Sequence, residues 1–263
     1  MKRALFVVGP AGSGKTTLCE AIQDYLLGKN CGILPHYVNL DPASNIPQSK
    51  SNNAWDIREK WNLEDVMRLY QLGPNGALMY ILESFGKDAE HLAEKLQPWQ
   101  EDFLIVDCPG QIEAYIHQEG GMNSVISTFK DHGYDIIILF TLDSTFINNH
   151  RKMLLGVLIS LVSMLHLGEA LLIVVTKMDV VGGVEEWDSL QDSLQDFLNT
   201  QEQNSFLGKL GNIFDKFGIS EIIPVDVTEP ESIAFLHGRL CNILGQDEDQ
   251  VNFNDNDADH DEE

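Results

Sequence analysis

Gly9-Pro-Ala-Gly-Ser-Gly-Lys-Thr16 separates a short apolar run, Ala4–Val8, from a segment with helical character. The run predicts a buried strand, and a helix from Thr16 to about Gly28 is expected to follow. Glycines at this spacing let the backbone wrap around phosphate groups with its amides pointing inward. The start of the following helix adds partial positive charge. The stretch therefore predicts a phosphate-binding loop.

The residues of this loop have distinct expected tasks. Lys15 would reach the β- and γ-phosphates of a nucleoside triphosphate, and the Thr16 hydroxyl would ligate Mg²⁺. The predicted phosphate-binding set comprises Gly12, Ser13, Gly14, Lys15, Thr16 and Thr17.

Short apolar runs alternate with helical segments along the whole chain, which indicates buried parallel strands. We therefore expect an α/β protein with a doubly wound, mostly parallel sheet. It should be a P-loop NTPase, G-domain-like, with helical insertions. Further helices are predicted from Trp187 to Leu198 and over Ser232–Leu244. The predicted strands are Ala4–Val8, His36–Leu40, Phe103–Val106, Ile136–Thr141, Leu171–Thr176 and Glu221–Val225.

An aspartate ends one of these runs, in Phe103-Leu-Ile-Val-Asp-Cys-Pro-Gly-Gln. This is the D-x-x-G arrangement of GTPases, in which Asp107 would hold Mg²⁺ through water. Gly110 lets the backbone approach the γ-phosphate, and Gln111 is placed to orient an attacking water. Glu113 is near enough in sequence to assist. For Gln111 and Glu113 a plain surface position is the alternative.

The stretch Thr176-Lys-Met-Asp179 resembles the guanine-reading N-K-x-D motif. Asp179 would accept two hydrogen bonds from the base edge, and Lys177 would lay its stem along the ring. Adenine cannot donate the same pair, so this motif favours GTP over ATP. The predicted base-contacting set comprises Thr176, which replaces the asparagine of the motif, with Lys177, Met178 and Asp179.

These motifs predict a GTP-binding P-loop domain over residues 1–246. Residues 247–263 are strongly acidic and have few apolar side chains, so we expect a disordered tail there.

The charge balance excludes some functions. Among 263 residues, 17 Lys plus Arg face 41 Asp plus Glu, a formal net charge of −24. This field repels phosphate backbones, so direct nucleic-acid binding is disfavoured. A basic partner surface is one interpretation of the acidity, and a charge that only supports solubility is the other. The four cysteines lack C-x-x-C spacing, which argues against a zinc site. The apolar stretch Met153–Leu167 is shorter than the about 20 residues of a membrane span. We interpret it as a buried helix of a cytoplasmic protein.

Further motifs accompany these in a fixed order. Val38-Asn-Leu-Asp-Pro-Ala43 follows the first helix, and Gly73-Pro-Asn-Gly76 follows Asp56-Ile-Arg-Glu59. Asp107-Cys-Pro-Gly-Gln-Ile-Glu113 comes next. With this combination the chain resembles the GPN-loop GTPases from about Phe6 to Leu244. It looks most like the third eukaryotic paralogue.

The resemblance implies dimerisation through the nucleotide faces, with a paralogous GPN-loop GTPase as a heterodimer or with a second copy of the chain. Asn75 of one subunit would donate hydrogen bonds to phosphate in the other, an electrostatic stabilisation of developing charge. Asp41 would face the magnesium and the attacking water. Asp56 and Arg58 would lie in a segment that rearranges with nucleotide state, or would form an ordinary surface salt bridge.

Eukaryotic members of this family are linked to the assembly and nuclear import of RNA polymerase II. The resemblance therefore implies RNA polymerase II subunits as partners, and a cytoplasmic location with shuttling to the nucleus.

Two other functions stay open on the residues alone. A P-loop phosphotransferase would share the phosphate loop, but it needs a second substrate pocket, and Thr176-Lys-Met-Asp179 has no purpose in a kinase. A subunit that only holds nucleotide as a scaffold, with little turnover, is compatible with Thr176 and the acidic tail.

Overall fold

The computed structural model describes residues 2–29, 34–44, 53–99, 103–116, 121–146, 149–187, 189, 209 and 222–243. The strands are β1 (Lys2–Val8), β2 (Pro35–Asn39), β3 (Asn53–Asp56), β4 (Phe103–Asp107), β5 (Tyr134–Asp143), β6 (Leu171–Thr176) and β7 (Ile222–Pro224).

These strands form one sheet in the order β3-β2-β4-β1-β5-β6-β7, and every described pair is parallel. The helices are α1 (Lys15–Gly28), α2 (Leu63–Tyr70), α3 (Pro74–Lys87), α4 (Ala89–Leu96), α5 (Glu113–Ile116), α6 (Met122–Asp131), α7 (His150–Leu167) and α8 (Pro230–Ile243). The predicted α/β fold with a parallel sheet is confirmed.

The central strand β1 shows why the sheet is covered on both sides. Its side chains alternate between two separate apolar clusters because successive residues of a strand point to opposite faces. Phe6 belongs to the cluster that includes residues of α3, α6 and α7. Leu5 and Val7 belong to the cluster beneath α1 and α8. A strand buried on both faces reads as a continuous apolar run, which made it recognisable in the sequence.

All six predicted strands are present with ends shifted by at most two residues, but β3 was not predicted. It is a four-residue edge strand, Asn53–Asp56, paired only with β2. Its sequence, Asn-Ala-Trp-Asp, contains no apolar run. Trp55 nevertheless lies buried and stacks on Phe85 of α3, with ring centroids 4.8 Å apart. Tertiary packing therefore creates a strand that local propensity does not indicate.

The predicted helical insertions lie between β3 and β4, where α2, α3 and α4 follow one another. Each begins with a suitable residue. The Asn62 side chain caps α2 by accepting from the Asp65 amide, and Asp88 caps α4 by accepting from the His91 amide. Pro74 occupies the first turn of α3, where its missing N–H has no helical partner to lose.

The helix α7 differs in part from the prediction. We expected a buried helix over Met153–Leu167, and the structure has one over His150–Leu167. One face packs in the core, but Leu155 is 53% and Leu165 68% exposed. Among the described residues this is the one helix long and apolar enough to cross a membrane by length and composition. The sequence did not distinguish the buried face of α7 from its exposed face, because apolar residues occur all around the helix.

Other expectations fall outside the described residues. They concern the amphipathic helix beyond Trp187, of which only Ser189 is described, and the acidic tail over 247–263. Trp187 itself is buried in the larger apolar cluster.

The contact between α3 and α6 generates a prediction, because Gly86 leaves no room for a side chain. A Cβ there would lie 2.8 Å from the carbonyl oxygen of Gly121 and 2.8 Å from Ser124 Cβ. We expect Gly86→Ala to reduce the free energy of unfolding by about 1–2 kcal/mol, because the clash outweighs the better helix propensity of alanine. Urea denaturation measures this change.

Gly28→Ala is the matched control, because no atom lies within 4 Å of its added methyl group. It should be neutral or gain about 0.5 kcal/mol. An equal effect of the two variants would contradict the close contact.

Candidate functional site

The phosphate loop Gly9–Thr16 runs from β1 to α1, and its backbone fits only glycine at key positions. Gly9, Gly12 and Gly14 have φ values of 142°, 78° and 80°. A Cβ on Gly9 would lie 2.5 Å from the backbone oxygen of Thr141. The loop therefore lies directly against the end of β5. Ser13 continues this contact through its hydroxyl, 2.6 Å from that of Thr141.

Lys15 folds back over this loop. Its ammonium donates to the carbonyl oxygen of Pro10 at 3.0 Å, and the residue is buried. Burial lowers the pKa of Lys15, although the charges of Asp107 and Asp41 act in the opposite direction. A buried cation at a helix N-terminus is stabilised when an anion shares the site, which is the arrangement that a phosphate requires.

Asp107 forms the candidate metal end of the site. Its Oδ2 accepts from the Thr16 hydroxyl at 2.6 Å and from the Tyr37 hydroxyl at 2.7 Å. Its Oδ1 is buried and has no hydrogen-bond partner among the described residues. Burial raises the pKa of the Asp107 carboxyl, while these two hydrogen bonds oppose the rise.

An unsatisfied buried carboxylate oxygen is costly unless a cation or water reaches it. Carboxylate and hydroxyl oxygens are ligands that Mg²⁺ prefers. Asp107 and Thr16 therefore offer the oxygen ligands that a magnesium ion would take, and their role as metal ligands stays a prediction.

The segment after Asp107 touches the phosphate loop. A Cβ on Gly110 would lie 2.8 Å from Ala11 Cα, so the two loops are in direct contact. Tyr115 of α5 ties them together, because its buried hydroxyl donates to the Pro109 carbonyl and also contacts the backbone of Gly9.

Gln111 and Glu113, the two polar residues predicted to act near this contact, have different environments. Gln111 is half-buried, and its side-chain oxygen has no hydrogen-bond partner in the described part of the chain. That amide oxygen is buried, and the preceding residue, Gly110, is the one that contacts the phosphate loop. Glu113 opens α5 and is exposed. No described contact joins Glu113 to the phosphate loop.

Asp41 sits in a short loop that follows β2. Its Oδ1 accepts from the Ala43 amide at 2.9 Å, and its own amide donates to Asn39 Oδ1 at 3.0 Å. Burial raises the pKa of Asp41, against the hydrogen bond from Ala43 and the charge of Lys15. The charge of Lys15 acts on the Asp41 carboxyl, so the two side chains lie within electrostatic range of each other; the predicted role of Asp41 toward magnesium and water stays a prediction.

Asp56 and Arg58 hold this loop, and they do not form an ordinary surface pair. The Asp56 side chain is 2% exposed and that of Arg58 18%. The guanidinium donates to both carboxylate oxygens of Asp56, with the Nη2–Oδ2 distance at 2.6 Å. Its Nη1 donates to the Ser44 carbonyl at 2.8 Å. Because Asn39 Nδ2 also donates to Asp56 at 3.1 Å, the network joins β2, β3 and the Asp41 loop.

The predicted base-contacting residues divide into buried and accessible positions. The Thr176 hydroxyl is buried and donates to the carbonyl oxygens of Ser13, at 2.6 Å, and Leu142, at 3.1 Å. It tethers the phosphate loop. Met178 is fully buried in the larger apolar cluster, so its side chain packs in the core. Lys177 is half-buried, and Asp179 is exposed and available to a base edge.

Asn75 lies apart from these residues. It occupies the first turn of α3, within the exposed turn Gly73-Pro-Asn-Gly76. No described contact joins Asn75 to the phosphate loop of its own chain. Thr17 is exposed at the start of α1 and lines a cavity of about 360 Å³ between α1 and α8, together with Val227.

The sequence missed three residues that shape the site. Tyr37 lies two positions before Asn39 and belongs to no motif, so nothing in the sequence pairs its hydroxyl with Asp107. Thr141 supports the loop through Ser13, and Asp143 forms an ion pair with Lys177 at 2.5 Å. Both lie among the last residues of β5, which ends at Asp143. Parallel topology, which brings the carboxyl ends of adjacent strands together, is the signal that could have suggested them.

Comparison with known proteins gives consistent matches over nearly the whole chain. A family model described as a conserved hypothetical ATP binding protein matches residues 7–244. A protein named GPN-loop GTPase 3 from Dictyostelium discoideum is 30% identical over 258 residues, covering 94% of this chain and 89% of its own length. Its namesake from Saccharomyces cerevisiae is 31% identical over 268 residues, covering 94% and 96%. A GPN-loop GTPase 2 homolog from D. discoideum is 28% identical over 246 residues, covering 88% and 76%.

The fold also matches a solved structure. A crystal structure of a GTPase in apo form from Pyrococcus abyssi superposes with a TM-score of 0.72, covering 91% of this chain and 96% of that one. The two chains are 23% identical, so this match concerns the fold alone.

The buried network around Arg58 generates a stability prediction. Arg58→Lys loses the planar fork that binds both oxygens of Asp56 and the Ser44 carbonyl. We expect the free energy of unfolding to fall by about 2 kcal/mol, because a buried carboxylate loses charge-assisted partners. Arg68→Lys, in the exposed pair with Asp65, is the control and should stay within about 0.5 kcal/mol. Equal values for the two variants in urea denaturation would refute the buried role.

Tyr37 generates a prediction for metal binding. Tyr37→Phe removes the hydroxyl that positions Asp107. We expect the affinity for Mg²⁺ in the nucleotide complex to fall about tenfold, because a group that orients a metal ligand is lost. The measurement is a magnesium titration of nucleotide affinity.

Tyr134→Phe is the matched control for this variant, because its hydroxyl also donates a hydrogen bond, to the Trp99 carbonyl at 2.7 Å. It should lower stability by a similar amount, about 1 kcal/mol, and leave the magnesium titration unchanged. If the magnesium titration shifted in both Tyr37→Phe and Tyr134→Phe, the Tyr37 hydroxyl would contribute only to general stability and not to metal binding.

Proposed function

This chain belongs to the GPN-loop GTPase family, and from this premise we propose that it binds GTP with Mg²⁺ and hydrolyses it as a dimeric switch. The activity is that of a GTPase, which yields GDP and phosphate. The observation that carries the mechanism is the Asp107 carboxylate. Its Oδ2 accepts from Thr16, and its buried Oδ1 has no partner among the described residues. Its charge also acts on Lys15.

The triphosphate would bind along the loop Gly9–Thr16, with Lys15 at the β- and γ-phosphates. A phosphate would take the Lys15 ammonium from the Pro10 carbonyl that it now contacts. Thr16 and Asp107 would hold the magnesium. When bound, Mg²⁺ neutralises charge on the phosphate oxygens.

Gln111 is the best candidate for orienting the attacking water. Its side-chain oxygen has no hydrogen-bond partner among the described residues and would accept a water hydrogen, and the adjacent Gly110 contacts the phosphate loop. Asp41, whose carboxyl interacts electrostatically with Lys15, would hold the attacking water or the magnesium shell. Glu113 is exposed and makes no described contact with the phosphate loop, so it is a weaker candidate for this step than Gln111.

We propose guanine as the base. The matched family description names ATP, whereas the relatives are named as GTPases. Asp179 supports GTP, because an exposed carboxylate accepts the two hydrogens that guanine offers and adenine lacks. Competition of GTP and ATP for the purified protein tests this assignment. Equal affinities would reject it.

We propose that the working unit is a dimer, with a second copy or with a paralogous GPN-loop GTPase. The exposed Asn75 supports this arrangement, because no described contact joins its side chain to the phosphate loop of its own chain, and an exposed amide is available to a second subunit. A neutral donor placed at the phosphate would stabilise developing charge.

The wider role that we propose is assistance to the assembly and nuclear import of RNA polymerase II. Its subunits would then be the clients, and the protein would work in the cytoplasm and shuttle to the nucleus. Only the family resemblance supports this part. The formal charge of −24 is compatible with basic partner surfaces and disfavours direct nucleic-acid contact.

Asn75 provides the decisive prediction. We expect Asn75→Ala to retain GTP binding and to lose at least about tenfold in phosphate release, because a donor used only in the transition state affects turnover and not affinity. Phosphate release and mass are measured together, alone and with candidate paralogues.

Gln97→Ala, at another exposed position, is the control and should keep normal turnover. If Asn75→Ala turned over GTP at the normal rate with its partner present, the proposed role of Asn75 would be wrong. Absence of hydrolysis in the unaltered complex would favour a scaffold that only holds nucleotide.

A further inference from the structure

The loop that reads the base in the proposed function is held from the side by residues of β5. Asp143, the last residue of β5, lies opposite Thr176, the last residue of β6, in the parallel register. The chain continues from Thr176 into Lys177 and from Asp143 into Ser144. Two short turns therefore leave the sheet side by side.

Lys177 has a backbone conformation that needs support. Its φ is 59°, which lies in the left-handed region. Among the described residues other than glycine, only Gln71 also has a positive φ. Side chains with a Cβ rarely adopt this conformation. The conformation turns the chain into the 3₁₀ helix Met178–Val181, which carries Asp179. The direction of Asp179 therefore depends on how Lys177 is held.

Both ends of Lys177 are held by the turn after β5. The Ser144 hydroxyl donates to the Lys177 carbonyl at 2.7 Å, and Ser144 is fully buried. The Lys177 ammonium binds Asp143 Oδ2 at 2.5 Å. Asp143 is itself fixed, because its Oδ1 accepts from the Thr145 amide at 2.8 Å.

The Asp143 group is ionised in this arrangement. Partial burial acts to raise its pKa, but the hydrogen bonds from Lys177 and Thr145 outweigh burial and bring the pKa below its ordinary value. A carboxylate fixed by a backbone amide holds the Lys177 ammonium at one point, while the stem of the lysine stays free to contact a flat ring.

We propose that Asp143 and Ser144 are specificity-determining positioning residues, which set the conformation of Lys177 and so aim Asp179 at the edge of guanine. The inference rests on the proposed function, since it concerns the guanine that we assign to this site. Neither residue belongs to the phosphate loop or to the predicted base motif. They act through Lys177 and do not touch the nucleotide.

The test compares three nucleotides that share the triphosphate. GTP offers Asp179 two donors, ITP lacks the exocyclic amino group and offers one, and ATP offers neither in the same place. Their affinities are measured by displacement of a fluorescent GDP from the purified protein. In Asp143→Asn we expect the preference for GTP over ITP to fall about tenfold, with unchanged ATP affinity, because only base reading is disturbed.

Ser144→Ala should shift the same ratio in the same direction by a smaller factor. Asp143→Glu keeps the carboxylate and should retain most of the preference. Asp135→Asn is the matched control, because Asp135 lies exposed near the other end of β5, and its ratio should equal that of the unaltered protein.

Three outcomes are distinguishable. Equal loss of affinity for all three nucleotides in Asp143→Asn and Ser144→Ala would show a merely structural role and overturn the inference. An unaltered GTP-to-ITP ratio in both variants would also overturn it. If the unaltered protein itself bound GTP and ATP equally, the guanine assignment of the proposed function would fail first, and the inference with it.

Discussion

One carboxylate oxygen, Oδ2 of Asp107, connects the elements on which the site depends. It accepts from Thr16 at the start of α1 and from Tyr37 in β2, while Asp107 itself ends β4. A helix and two neighbouring strands are thereby held at one buried point. The other oxygen of the same carboxylate is left without a partner among the described residues. Saturating one oxygen fixes the carboxylate, and leaving the other open prepares it for a cation, so the same group serves the fold and the chemistry.

The sequence indicated the parts of this protein that depend on local pattern. The phosphate loop was recognisable because its glycines have positive φ values that other residues avoid, as Gly12 and Gly14 show. The strands of the inner sheet were recognisable because both their faces are buried. Asp107 was recognisable because a carboxylate at the end of a buried strand is costly to bury unless a cation or hydrogen-bond donor pairs with it. These signals lie within a few residues of the feature that they predict.

The remaining parts depend on contacts between distant residues. Nothing in the sequence around Tyr37 indicates that its hydroxyl meets a carboxylate 70 positions later. The pair of Asp56 and Arg58 looked like a possible surface salt bridge, and only the position of β3 shows that Asp56 is buried. Met178 looked like part of a base motif because it stands between Lys177 and Asp179, yet its side chain is in the core. The partner of Asn75 in the proposed dimer would belong to another subunit, and a sequence does not show how two subunits are arranged.

The tether from Thr176 to Ser13 has a consequence for the kinetics of nucleotide exchange. Because the threonine hydroxyl donates to the Ser13 carbonyl at 2.6 Å, the end of β6, which leads into the proposed base-contacting turn, is joined directly to the phosphate loop. A nucleotide bound as proposed would therefore contact two parts of the chain that are fastened to each other. The Asp41 loop is fastened separately, by Arg58 through the Ser44 carbonyl. If release of the nucleotide requires that loop to move, a partner that binds residues 41–44 would slow release.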